Sequence, residues 1–329
     1  MPSCVNRSCV RWKGWRSDAS TMFDEPSTPK LSATEFRLLT DLLRNRCGLQ
    51  FDEATCFLVE KRLARRIEEC DAGSFASYFY QLRQGANSEA ELSKLVDLLT
   101  TNETFFFRER AQLTALVNEI IPEMRSRQGG DRRPVKIWSA GCASGEEPFS
   151  IVMMALEADL DPGRDFQVYA TDISRAAIAK ARGGIYREAS FRETDPAMRL
   201  HYFAQRDGLM RISDEVKRHV DFMHLNLLDS AKMSLLGSMD VVLCRNVMIY
   251  FDLDAKKQLM ATFHDKLRPG GYLLLGHCES LSNVTPDFEL KHLSRDLVYR
   301  RPVPGEEKED AWHALARAGV TEGEGSGPD

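Results

Sequence analysis

Several features are scarce in this chain of 329 residues, and each scarcity removes a class of protein. No apolar run approaches the roughly 18 residues that cross a bilayer, so no membrane insertion is expected. The N-terminus carries Arg7, Arg11, Lys13 and Arg16 without an apolar segment behind them, so no signal peptide is expected. The eight cysteines form no CxxC pair and no Cys/His group at zinc spacing, which argues against a metal site. Cys4 and Cys9 lie in a tail, while Cys244 and Cys278 sit inside apolar runs. Reduced thiols in a cytoplasmic protein are the natural reading. Excess positive charge is lacking too: the net charge of -5 argues against wholesale nucleic-acid binding. No internal repeat is evident. What remains, 43% hydrophobic and 28% charged, describes a globular chain with a proper core, enough for one large or two ordinary domains.

The rhythm of the chain changes along its length. Residues 1–30 are polar, end in Asp24-Glu-Pro-Ser-Thr-Pro29 and read as a flexible extension. Residues 31–100 read as an all-helical domain: Ser32-Ala-Thr-Glu35 is a capping box, and Val59, Leu63, Ile67 and Cys70 recur at helical spacing. Residues 101–132 form a linker and connecting helix. From 133 to 303 strands and helices alternate, as VKIW, PFSIVMMALEADL, FQVYATD, SRAAIAKAR, VDFMHL, MDVVLC, AKKQLMATFHDKL and, after a Pro-Gly-Gly turn, YLLLG. Such alternation predicts an α/β fold with a mostly parallel sheet covered by helices. FELKHL and DLVYRR read as a closing antiparallel hairpin, and residues 186–218 break the pattern as an insertion. Residues 304–329 are acidic and Gly-rich, and read as a disordered tail.

In an open parallel sheet, ligands sit beyond the carboxyl ends of the strands. Those ends carry Ala140, Gly141, Gly145 and Glu147 after the first strand, Asp172 after the second, Asn226 and Leu227 after the third, and Cys244 to Tyr250 after the fourth. The stretch Ile137–Ser150, IWSAGCASGEEPFS, resembles a nucleotide-binding turn in which Pro148 opens an amphipathic helix. Glu146 and Glu147 would repel a diphosphate there, and the spacing is not G-x-G-x-x-G. An acid at the second strand end suits a ribose diol. A ribose-bearing ligand with positive charge, such as S-adenosylmethionine, fits both features. Plainer roles stand beside these: Glu147 as the last member of a capping box Ser144-Gly-Glu-Glu147, Asp172 as a helix N-cap, Tyr250 and Phe251 as core aromatics.

TNETFFFRE (101–109), WSAGCASGEEPFSI (138–151), ATDIS (170–174), CRNVMIYF (244–251) and LRPGGYLLLGH (267–277) together resemble the chemotaxis-receptor glutamate methyltransferases, the CheR family, from about Leu31 to Tyr299. The resemblance implies a class I methyltransferase sheet with an inserted small β-subdomain, preceded by a small all-α domain. It implies S-adenosylmethionine as methyl donor and a chemoreceptor's cytoplasmic helical bundle as partner; a monomeric enzyme is expected. By the same resemblance Asn102, Thr104 and Arg108 contact the cofactor from the linker, Glu147 its amino or carboxylate end from the first loop, and Asp172 the ribose; Ala140 and Gly141 join them as strand-end residues. Asn226 and Leu227 flank the adenine, Arg245 and Asn246 the methionine portion, and Tyr250 the transferred methyl. Phe105 to Phe107 read better as core. Two departures stand out: Ala143-Ser144 replaces the family's Ser-Thr, and Gly276-His-Cys-Glu279 its GHSE. The segment Gln205–Arg211 is short where peptide-docking members carry a Gly-containing extension, which points to a peptide-independent enzyme.

A glutamate acceptor with a pKa of about 4.3 is ionised at neutral pH, so no general base is needed. Arg108 suits either the acceptor carboxylate or the cofactor's own carboxylate. Lys61, Arg62, Arg65 and Arg66 read as a face that grips an acidic receptor helix, or as a solvated face balanced by Glu60, Glu68 and Glu69. Arg-Asn-Val-Met-Ile-Tyr stands where amino-group methyltransferases often carry Asn-Pro-Pro-Tyr, which counts against a base or small-molecule acceptor. A non-catalytic cofactor-binding adaptor is the remaining alternative.

Overall fold

The computed structural model describes residues 30–128, 133–294 and 296–306. The expected N-terminal extension and acidic tail lie outside the described residues, apart from Lys30 and 304–306, as do Cys4 and Cys9. Helices α1 (Ala33–Cys47), α2 (Cys56–Glu69), α3 (Phe75–Gln84) and α4 (Ser88–Leu99) form a helical layer. Its start obeys the sequence: Glu35 N donates to Ser32 Oγ at 3.3 Å and Ser32 N to Glu35 Oε2 at 2.9 Å, completing the capping box. The end of α1 needs Gly48, whose φ is 74° and whose absent Cβ would lie 2.5 Å from Leu228.

The linker continues as α5 (Arg110–Ala115), a π-helical turn over Leu116–Ile120, and α6 (Ile121–Arg127). The alternating region follows: β1 (Val135–Ala140), α7 (Glu146–Glu157), β2 (Phe166–Asp172), α8 (Arg175–Gly183), β3 (Ile185–Tyr186), α9 (Pro196–Tyr202), β4 (Phe203–Arg206), β5 (Leu209–Ile212), α10 (Asp214–Lys217), β6 (Val220–His224), α11 (Ser230–Met233), β7 (Met239–Cys244), α12 (Leu253–Lys266), β8 (Leu267–Leu275), β9 (Glu289–His292) and β10 (Leu297–Arg300). Seven strands form one sheet in the order β6-β2-β1-β7-β8-β10-β9. The first five are parallel, and β10 runs antiparallel to both β8 and β9. The order reverses between β1 and β7, which opens a crevice at their carboxyl ends. Strands β3, β5 and β4 make a separate antiparallel sheet within the insertion.

Alternation along the central strands divides the core in two. Val242 and Cys244 of β7 face a cluster shared with α12 and with all four helices α1–α4, while Val241 and Leu243 face α5–α8 and the insertion. The helical layer therefore shares one continuous core with one face of the sheet. Two local expectations change. The Pro-Gly-Gly segment is not a turn before a strand but a bulge inside β8, with Gly270 at φ 78° and a register break opposite Met239–Val241. Helix α7 is not amphipathic: Pro148, Phe149, Ser150, Ile151, Val152 and Met153 are all buried, because α5, α10 and the sheet surround it.

Candidate active site

A cavity of about 240 Å³ lies over the strand reversal. The sheet supplies Gly141, Glu147, Asp172, Asn226, Leu227, Arg245, Asn246 and Tyr250 to its wall, and the linker supplies Asn102, Thr104 and Arg108. Eleven of the twelve expected cofactor or catalytic residues thus meet; the exception, Ala140, is buried as the last residue of β1 and is not part of the lining.

The acids of the site are held by geometry. Asp172 closes β2 and is buried; its Oδ2 accepts from Ala143 N and its Oδ1 from Ser174 N, both at 2.8 Å. Each oxygen keeps a lone pair for a ligand hydroxyl. Burial pushes its carboxyl above the usual range, opposed by those two backbone bonds. It does not cap α8, because Ser174 does so by accepting from Ala177 N at 3.0 Å. Glu147 does not cap α7 either: Gly145, at φ 92°, is the N-cap, with no side-chain cap bond. Ser139 Oγ donates to Glu147 Oε1 at 2.6 Å, and Arg245 Nη1 donates to Oε2 at 3.2 Å. Burial again raises the Glu147 carboxyl, with the Arg245 charge opposing.

Arg245 is buried and reaches further, donating from Nε at 3.3 Å and Nη2 at 3.2 Å to Glu109 Oε2, and to the Arg108 carbonyl. Left-handed backbone gathers here at Ala143 (φ 47°), Phe107 (61°), Glu109 (54°) and Asn246 (59°). Such strain persists only where surrounding contacts enforce it. Gly141, at φ 84°, admits Val247 so closely that a Cβ would stand 2.4 Å from its Cγ2. Asn246 Oδ1 is buried without a hydrogen-bond partner among the described residues.

The helical layer roofs this cavity, which no local sequence signal indicates. Cys47, Leu49, Gln50, Phe51, Leu58 and Arg62 line it. The roof is tied down beside Tyr250: Gln50 N donates to the Tyr250 carbonyl at 2.9 Å, and Leu49 bridges Phe251. Asn226 Nδ2 donates to the Arg46 carbonyl at 2.8 Å and its Oδ1 accepts from Leu228 N at 3.1 Å, so its carboxamide is engaged in the protein. The fully burying wall of Cys47 lifts its thiol to about 11.

The four expected docking cations separate. Lys61, Arg62 and Arg65 are exposed, but Arg66 turns inward and holds Glu91 through Nε at 2.7 Å and Nη2 at 2.6 Å, with Glu91 also accepting from Tyr78. Buried polar groups demand such partners, so Arg66 is not part of an outward face. Arg65 pairs with Glu69 at 3.0 Å. Arg62 Nη1 donates to the Leu99 carbonyl at 3.0 Å and stands in the cavity wall.

Glu146, read above only as an anion that would repel a diphosphate, is one of the most buried carboxylates among the described residues: it accepts from Ser144 Oγ at 2.7 Å and from Ser190 Oγ at 3.0 Å, joining the first loop to the insertion. Small hydroxyls on both sides were the only legible hint. Phe106 and Phe107 are core as expected, Phe106 packing edge-on against Tyr186 and Phe203, whereas Phe105, though buried, lines the cavity beneath the Arg108 and Arg192 guanidinium groups. Cys278 is exposed and stands outside the cavity lining.

Comparison with known proteins decides the family. A profile described as "CheR methyltransferase, SAM binding domain" matches residues 102–296, and one described as "CheR methyltransferase, all-alpha domain" matches residues 34–100. This chain belongs to the CheR methyltransferase family. It is 36% identical to chemotaxis protein methyltransferase 2 of Vibrio cholerae over 85% of this chain and 96% of that protein. It is 35% identical to the chemotaxis protein methyltransferase of Salmonella typhimurium over 79% of this chain and 88% of that protein. The CheR-type chain therefore uses S-adenosylmethionine. Its cavity suits that ligand: a buried carboxylate (Asp172) and a half-buried one (Glu147) with free lone pairs, an unpaired carboxamide oxygen, and a glycine turn that no side chain could occupy. Among the described residues no helix is long and apolar enough to cross a membrane, and no group of three or more His, Cys, Asp or Glu could hold a metal.

Proposed function

We propose that this CheR-family methyltransferase esterifies glutamate side chains on the cytoplasmic helices of a chemoreceptor, acting as a cytoplasmic monomer. The observation that carries this reading is a pair of guanidinium groups in the cavity wall. Arg62 hydrogen-bonds the Leu99 carbonyl and Arg108 the Glu103 carbonyl (3.3 Å), and among the described residues neither is ion-paired or hydrogen-bonded to a carboxylate, although the Arg108 charge is felt at Glu147. Arginine's planar fork matches a carboxylate in geometry and leaves it ionised. An ionised carboxylate attacks without a base; its oxygen gains the methyl, and the sulfonium, losing it, becomes a neutral thioether. The protein's part is alignment and exclusion of water beneath the helical roof.

Within this proposal Asp172 receives the ribose hydroxyls through its remaining lone pairs, and Glu147 the amino end of the donor. Arg245 and Asn246 take the methionine portion, Asn226 and Leu227 the adenine, and Tyr250 flanks the methyl. Asn102, Thr104 and Arg108 close the linker side, while Gly141 and the Ala140 backbone form the floor. Arg108 can still serve either carboxylate. Strands β4 and β5 join through the two-residue turn Asp207-Gly208, with φ of 52° and 75°, which supports a receptor interaction independent of a docked C-terminal peptide.

The test is incubation with methyl-labelled S-adenosylmethionine and receptor cytoplasmic fragments. Label that base releases as methanol marks a carboxyl ester and supports the proposal. Base-stable label, or none with any receptor fragment, would defeat it.

A further inference from the structure

The turn after β7 is fastened from outside the cavity by one side chain. Glu279 follows β8 in a tight turn closed by its own N–H to the Gly276 carbonyl at 2.8 Å. Its Oε2 accepts from Asn246 N at 2.7 Å and Gly276 N at 2.8 Å; its Oε1 accepts from Val247 N at 3.0 Å and Met248 N at 2.7 Å. Three successive amides converging on one anion form a backbone nest, which requires alternating hand in the chain; Asn246, at φ 59°, supplies it. Gly276 leaves room for the clamp, since a Cβ there would stand 2.8 Å from Asn246 Nδ2 and 3.0 Å from Glu279 Oε2.

Glu279 is absent from the cavity lining, yet the backbone it grips is not. Asn246 and Val247 are both cavity residues, Asn246 Oδ1 being the buried unpartnered acceptor and Val247 the side chain packed onto Gly141. Tyr250 follows within the same turn. We infer that Glu279 is a positioning residue for methyl-donor binding: its carboxylate imposes the backbone of residues 246–248 and so aims Asn246 and Val247 into the site. The inference rests on the proposed role of Asn246 as a donor contact. A carboxylate suits the place because it is acceptor-only and can serve four N–H groups. A carboxamide of the same shape would turn a donor towards amide donors and break half the clamp.

The test is calorimetric binding of S-adenosylhomocysteine to the full chain and to the variants Glu279→Gln, Asn246→Ala and their double, each checked by thermal melting. Glu279→Gln is expected to weaken binding on the order of tenfold or more. In the Asn246→Ala background the same change should cost much less, because both act on one turn. Unchanged affinity in Glu279→Gln, or equal losses in the two backgrounds when Asn246→Ala itself binds weakly, would overturn the inference. Parent-like affinity in Asn246→Ala would instead remove the donor-contact reading on which it stands. Should Glu279→Gln not fold, Gly276→Ala, which crowds the clamp without removing its charge, takes its place in the cycle with the same outcomes.

Discussion

Arg245 and Glu147 meet at 3.2 Å across the β1–β7 reversal, their side chains 2% and 16% exposed. The same guanidinium reaches Glu109 at 3.2 Å, so one cation holds two sequestered carboxylates. Breaking a buried pair leaves charge without a partner, which costs far more than the pair itself contributes. Arg245→Met is expected to destabilise the fold by about 3 kcal/mol and to weaken S-adenosylhomocysteine binding. Urea denaturation reads the first effect; a midpoint equal to the parent's would show that neither carboxylate depends on Arg245.

Arg108 and Arg62 should separate kinetically. Arg108→Ala is expected to lower kcat at least tenfold, because Arg108 lies on the linker side of the proposed transfer site. Arg62→Glu, at the roof, should raise the acceptor KM with little change in donor affinity. Steady-state methylation of receptor fragments distinguishes the two. Near-parent turnover in Arg108→Ala would free Arg108 from both proposed roles.

The raised carboxyls of Glu147 and Asp172 make donor binding pH-dependent. A cationic ligand favours their ionised forms, so binding should release protons on the acid side of neutrality. The sign follows: affinity falls as pH drops through the raised values, which lie above the ordinary 4.5 of a glutamate and 3.8 of an aspartate. Titration calorimetry in buffers of different ionisation enthalpy counts the protons. Proton uptake, or none, would contradict this.

The helical layer has its own acid sensitivity. The Arg66 guanidinium beside Glu91 holds that carboxyl at about 2, below its ordinary 4.5. A depressed folded value contributes stability that is present above pH 4.5 and disappears as pH falls towards 2. Arg66→Ala should cost about 2 kcal/mol at neutral pH and flatten the acid limb of the stability profile. Parallel acid limbs for parent and variant would exclude the pair as its cause.

Much of this was legible because local signals and long-range ones agree. Ser32 and Glu35 encode a helix start within four residues, and strand-end positions converge whenever a parallel sheet forms. Asp172, Arg245 and Asn246 therefore reach one cavity from three separate motifs. What escaped depends on contacts between distant segments. Arg66 has the pattern of a surface cation, and only the packing of α4 against α2 brings Glu91 to it. The sequence around Ser144 satisfies a capping box, yet Gly145 adopts φ 92° and takes the cap position itself. Nothing in Cys47–Arg62 marks it as a roof, because its cavity-lining residues mix buried Cys47, Leu49 and Val59 with exposed Gln50, Leu58 and Arg62, and only the meeting of α2 with the sheet gives them a common face.

The bond from Gln50 N to the Tyr250 carbonyl and the Leu49–Phe251 bridge place the hem of that roof against the turn bearing Tyr250. The helical layer and the Tyr250 turn are thus held in register through main-chain bonds. Those two adjacent backbone contacts therefore join the wall that carries Arg62 to the turn that carries Tyr250.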